Sequence, residues 1–156
     1  KNQNRIIIGG PRPASGKVKT MYRKAFPKVP IVKTGSKTAE TVKYFINCFL
    51  STKVSFANEM KQVCDNIDVD YDKVVEYALY DTRLGKSHLS VPGPDGSMGF
   101  GGHCFPKDLN AMIHMSYENQ VLPTVLKAVW NKNMEVRPEA ERDWEKMIGR
   151  AIVNDD

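Results

Sequence analysis

Between Ala39 and about Asn66, apolar residues recur every three or four positions: Val42, Phe45, Ile46, Phe49, Leu50, Phe56, Met60 and Val63. That spacing predicts one long amphipathic helix, opened by a cap at Ser36 or Thr38, with the apolar stripe as core. Beside the stripe, Glu40, Lys43, Asn47, Ser51 and Asn58 stand three to seven residues apart and share a second face. Such a polar series is ordinarily the solvated side of a helix. A further helix follows a cap at Asp70 and carries Val74, Val75, Ala78 and Leu79. Another follows Pro106, with Leu109, Met112, Ile113 and Met115 at helical spacing, and Pro106 suits its first position. The next carries Leu122, Val125, Leu126, Val129, Trp130 and Met134 along one face, until Pro138 kinks or breaks it before "PEAERDWEKMIGRAIV" resumes. A single small domain has little left to cover the Trp130 face, so that face predicts a two-fold homodimer interface.

The start of the chain has a different pattern. "NRIIIGG" reads as a buried strand, Ile6 to Ile8, running into a glycine turn, and residues 16 to 26 as a short basic helix ending at Pro27. A lone strand is not stable. It joins a sheet made elsewhere or pairs with Pro30-Ile31-Val32, and with no initiating methionine the chain reads as an excerpt of a longer α/β protein. "GGPRPASGK" imitates a phosphate-binding loop, but its spacing is wrong by one, and Val18 stands where a magnesium-binding hydroxyl is required.

Composition narrows the classes. The chain has 156 residues, enough for one domain with a core that needs neither disulfide nor metal. Three cysteines (Cys48, Cys64, Cys104) without a C-x-x-C argue for a reducing compartment, and no run is apolar and long enough to span a bilayer. The expectation is a soluble cytoplasmic protein without a membrane partner. The net charge of +5 is scattered among acidic residues with no stacking aromatics, which argues against nucleic acid and suits a phosphorylated small molecule. His103 beside Cys104 lacks the spacing of zinc ligands, so no metal is expected.

The candidate chemistry lies in the long Gly- and Pro-rich loop from Asp81 to Phe105, a length that in a compact domain signals function or disorder. It ends in "GFGGHCFPKD", whose glycines let backbone pass close to a ligand. Cys104 then stands at a helix N-terminus, where the helix dipole and Lys107, one turn away, favour a thiolate. The competing reading is that Cys104 is a small buried hydrophobe.

Three segments together resemble the UDP-glucose/GDP-mannose dehydrogenase family. "GFGGHCFPKD" is similar to its active-site cysteine motif, "TAETVKYFINCFLSTKVSFANEM" to the helix that opens its central domain, and "DTRLG" to a third signature, all in the family's order. The resemblance implies a mainly α fold: residues 1–35 as the tail end of the NAD-binding α/β domain with its last strand, and 36–156 as the helical central, dimerising domain. It implies oxidation of a nucleotide sugar's C6 alcohol to a carboxylate with two NAD, the sugar being that of UDP-glucose or GDP-mannose. Cys104 would carry a thiohemiacetal and then a thioester. Lys43 and Asn47 would face the reacting oxygen, and Asp108 would orient the hydrolytic water. Phe100 and Gly101 would line the sugar pocket, Arg83 would bind the sugar nucleotide across a homodimer interface, and Lys107 would lie near cofactor phosphates. The family's dinucleotide fingerprint is missing from this sequence, so the chain taken alone is expected to be inactive. The alternative function is a non-catalytic dimerisation or interaction module derived from that family.

Overall fold

A computed structural model describes residues 4–147, in two compact units: the residues up to Ile46 and those from Asn47 onward. The first unit is a strand–helix–strand unit built of β1 (Ile6–Gly9), α1 (Ala14–Ala25) and β2 (Ile31–Thr34). The strands pair in parallel, Ile6 opposite Ile31 and Gly9 opposite Thr34, which requires the crossover that α1 supplies. Of the two partners open to the first strand, it takes the Ile31 segment, and Ile8 and Ile31 are buried between sheet and helix. Gly9 is fixed by crowding: a Cβ there would lie 2.6 Å from the Cβ of Ala39.

The long helix α2 (Ser36–Asn66) begins earlier than its apolar pattern. Ala39 N–H donates to Gly35 O at 3.0 Å, so Ser36 and Thr38 lie inside the first turn and do not cap it. After it come α3 (Tyr71–Ala78), α4 (Cys104–Glu118), α5 (Thr124–Val136) and two short 3₁₀ turns, Glu139–Glu141 and Asp143–Met147. Asp70 caps α3 as expected, its carboxylate accepting the Asp72 and Lys73 N–H groups. Helix α5 stops ahead of Pro138, while the end of the expected resumption, residues 148–156, lies outside the described residues. The fold is mainly helical with one short strand pair.

Two apolar clusters hold the second unit. Cys48, Phe100, Leu109 and Val129 form the centre of one, Ala57, Cys64, Tyr71 and Val91 that of the other. Here α2 corrects the sequence reading. Phe45 (70% exposed), Phe49, Phe56 and Val63, expected as core, face outward, whereas Cys48, Ser51, Ser55, Ala57, Asn58 and Cys64 are its buried residues. Small side chains permit close approach of the neighbouring elements, and their polar atoms are satisfied there: the Ser55 hydroxyl donates to Val129 O at 2.9 Å. Periodicity finds the apolar face but says nothing about what covers it. Of the face expected as an interface, Trp130 is half-buried with its ring against that of Trp144 of the same chain, centroids 5.7 Å apart, while Leu122 and Val125 are exposed.

Candidate active site

Cys104 is the first residue of α4, with His103 at the cap, and it is exposed, whereas Cys48 and Cys64 are buried. The buried-hydrophobe alternative therefore fails for Cys104 and describes the other two. Pro106 stands in the first turn, two residues later than its expected place.

The loop that delivers Cys104 is held by polar side chains from both sides. Asn58 of α2 accepts the Gly99 N–H at 3.0 Å. The fully buried Asn133 of α5 accepts the Phe100 N–H at 2.7 Å and donates back to Phe100 O at 3.1 Å, so one amide side chain fixes both backbone groups of one residue. Only glycine fits at 99: φ is +68°, and a Cβ would meet Asn133 Oδ1 at 2.4 Å. At Gly101 a Cβ would meet the Arg137 guanidinium at 2.4 Å. Gly102 N–H donates to the Asp143 carboxylate at 2.9 Å. Arg137, itself buried, ties the preceding stretch with an ion pair to Asp95 at 2.8 Å. Burial pushes the Asp95 carboxyl up, but the Arg137 hydrogen bond, the Ser97 N–H and the Arg137 charge outweigh it and hold the group below the ordinary carboxylate range.

One turn into α4, Asp108 is fully buried and accepts a hydrogen bond from Asn47 Nδ2 of α2 at 2.5 Å. Lys107 extends its ammonium to the other oxygen of the same carboxylate. The cation assigned to cofactor phosphates thus sits on Asp108 in this structure. Cys48 lies behind the pair, its thiol 3.9 Å from Asp108 O, and burial followed by the Asp108 charge pushes it up to about 11. Lys43 precedes Asn47 by one turn on α2, its ammonium 5.6 Å from the Tyr44 ring centroid.

Phe100 is buried, edge-on to Phe105 at 5.9 Å, and with Gly101 and Gly102 it walls a cavity of about 530 Å³ that Ser87, His88, Asp95 and Asp143 also line. Burial, and the charge of Lys53 after it, lower the His88 pKa. Arg83 is elsewhere: its guanidinium, 88% exposed, forks onto Asp81 at the start of the loop and borders a second, apolar cavity of about 450 Å³ with Phe49, Phe56, Val74 and Leu84. The Asp81 hydrogen bond raises the arginine's pKa and lowers the aspartate's.

Asn133, Arg137 and Asp143 were missed in the sequence. A polar residue four positions after Val129, on a face otherwise apolar, was the available signal for Asn133. Asn58 was visible only as a member of the polar series with Asn47.

Among the described residues no group of three or more His, Cys, Asp or Glu side chains converges as metal ligands, and no helix is long and apolar enough to cross a membrane. Nor do the residues present fit NAD. A dinucleotide turn needs G-x-G-x-x-G running directly into a helix. Here Gly9-Gly10 is followed by Pro11 and Pro13 before α1 begins at Ala14.

The arrangement is that of a helical domain presenting an exposed cysteine from a clamped glycine loop, with a buried carboxylate one turn behind it paired to a half-buried amide. The UDP-glucose/GDP-mannose dehydrogenase family, central domain, matches residues 37–135, and the chain belongs to this family. UDP-glucose 6-dehydrogenase TuaD of Bacillus subtilis is 31% identical over 136 residues, 87% of this chain and 28% of its own length. UDP-glucose 6-dehydrogenase AglM of Haloferax volcanii is 37% identical over 73% of this chain and 25% of its own length. A UDP-glucose dehydrogenase structure from the hyperthermophilic archaeon Pyrobaculum islandicum superposes with a TM-score of 0.77 at 32% identity, covering 86% of this chain and 30% of that one. The chain therefore spans under a third of the length of these relatives.

Proposed function

We propose that this chain is the central part of an NAD-dependent UDP-sugar 6-dehydrogenase, with UDP-glucose as substrate and Cys104 as nucleophile. The observation that carries the reading is the exposed Cys104 opening α4 while Asp108, one turn on, is buried and hydrogen-bonded to Asn47. The relatives' names supply the substrate.

In this reading the C6 alcohol first gives up a hydride and a proton to become the aldehyde. The Cys104 thiol then adds to the C6 carbon, a carbon–sulfur bond forms as the carbonyl π bond breaks, and the thiol proton ends on the oxygen as the hydroxyl of a thiohemiacetal. Asn47 donates to the oxygen that gains charge, and Lys43 is the second partner that the motif assigns to it. Each of the two oxidations calls for a hydride acceptor, the chemistry that NAD bound by the rest of the polypeptide would supply. Water then attacks the thioester carbon, the carbon–sulfur bond breaks, Cys104 leaves as the thiol with one of the water's protons, and the carboxylate and the other proton are released. Asp108 orients that water, with the Lys107 ammonium on its other oxygen. Phe100 and Gly101 wall the sugar pocket.

The same reading makes the protein a homodimer, with the apolar face around Phe49, Phe56, Val74 and Leu84 as the contact. What supports it is that these large side chains are exposed and that Arg83, proposed to reach the partner's sugar site, borders them.

The polypeptide that joins this segment to a dinucleotide-binding domain is the object to assay. UDP-glucose should reduce NAD and yield UDP-glucuronate, and Cys104→Ala should lower kcat by at least about a thousandfold. Unchanged turnover in that variant contradicts the reading.

A further inference from the structure

We propose that the N-terminal unit binds a phosphate group in the cavity at the carboxyl ends of β1 and β2. This cavity of about 280 Å³ is lined by Gly10, Arg12, Ser15, Lys33, Thr34 and Gly35. Ligands of parallel α/β units collect at that end of the strands, where helices begin and their first N–H groups point outward. Both α1 and α2 begin here, at Ala14 and Ser36.

Three polar groups on the wall have no partner among the described residues. Ser15 is only 5% exposed, and its hydroxyl makes no hydrogen bond among the described residues. The hydroxyl therefore opens onto the cavity, where a ligand or water can meet it. Arg12 and Lys33 form no ion pair or hydrogen bond among the described residues, and no acidic side chain lines the cavity. A guanidinium, an ammonium and two neutral hydroxyls, with no carboxylate among them, surround a space of this size, which suits a tetrahedral dianion better than a metal ion. The turn fails as a phosphate loop of the magnesium-dependent type, because Val18 has no hydroxyl; the cavity recruits Arg12, Ser15 and Lys33 instead. The ion and the phosphate of a nucleotide share this chemistry. No residue of the cavity belongs to the cysteine site, so the two proposals stand or fall separately.

The test is amide chemical-shift titration of the ¹⁵N-labelled 156-residue chain at constant ionic strength, with inorganic phosphate in one series and ADP in another. Saturable shifts centred on Gly10, Ser15 and Gly35 are expected, and Arg12→Gln, Lys33→Gln and Ser15→Ala should each raise Kd by about tenfold. Arg12 and Lys33 are exposed, so their variants keep the wild-type Tm, which the same samples report. Saturation by ADP at the lower concentration assigns the site to a nucleotide's phosphate, and equal saturation assigns it to the free ion. Shifts that do not saturate with either ligand, or that survive Arg12→Gln unchanged, overturn the proposal.

Discussion

Asn133 does most to set the backbone of the cysteine loop. Its amide takes both the N–H and the C=O of Phe100, and both groups are buried where no water reaches them. Asn133→Ala leaves two backbone groups unmatched and opens a small void, an expected loss of about 2–4 kcal/mol in urea denaturation. A loss below about 0.5 kcal/mol would mean that the loop holds itself. Legibility at this scale divided sharply. The place of Cys104 at a helix start was readable from the glycines and Pro106 around it, whereas Asn47 and Asp108, 61 residues apart, were singled out only by the family resemblance. Asn133 was not readable, because its role depends on a backbone 33 residues away that no local pattern encodes.

The elements repeat that division. Starts, stops and strand pairing were close to legible, since α3 has an aspartate cap and α5 ends before a proline. The orientation of α2 was not, because the residues that pack inward are small and polar and give no hydrophobic signal. The loop ahead of α4 has its own fastening, the Asp95–Arg137 ion pair. The Asp95 carboxyl titrates below its ordinary range in the folded chain, so its contribution is full above that range and is lost as pH falls through the lowered value. Stability measured downward from pH 5 should therefore decline less steeply in Asp95→Asn than in the parent chain. Equal slopes would show that the pair does not fasten the loop.

At the scale of the whole molecule, the exposed apolar cluster of α2 and α3 should bring two copies together. Multi-angle light scattering of the chain at micromolar concentration should give twice the mass of 17.6 kDa, and Phe56→Gln should return it to the monomer without lowering Tm, since that side chain is 59% exposed within one copy. A monomeric parent chain removes the homodimer. The covalent role of Cys104 is the central claim, and mass spectrometry of the peptide that contains it is the most direct test. In the polypeptide that carries the dinucleotide-binding domain, Asp108→Asn should slow thioester hydrolysis, so that quenching during turnover with UDP-glucose should leave a UDP-glucuronyl adduct on Cys104 and on neither Cys48 nor Cys64. Product formed at the parent rate, with Cys104 unmodified in that variant and dispensable in Cys104→Ala, would contradict the account.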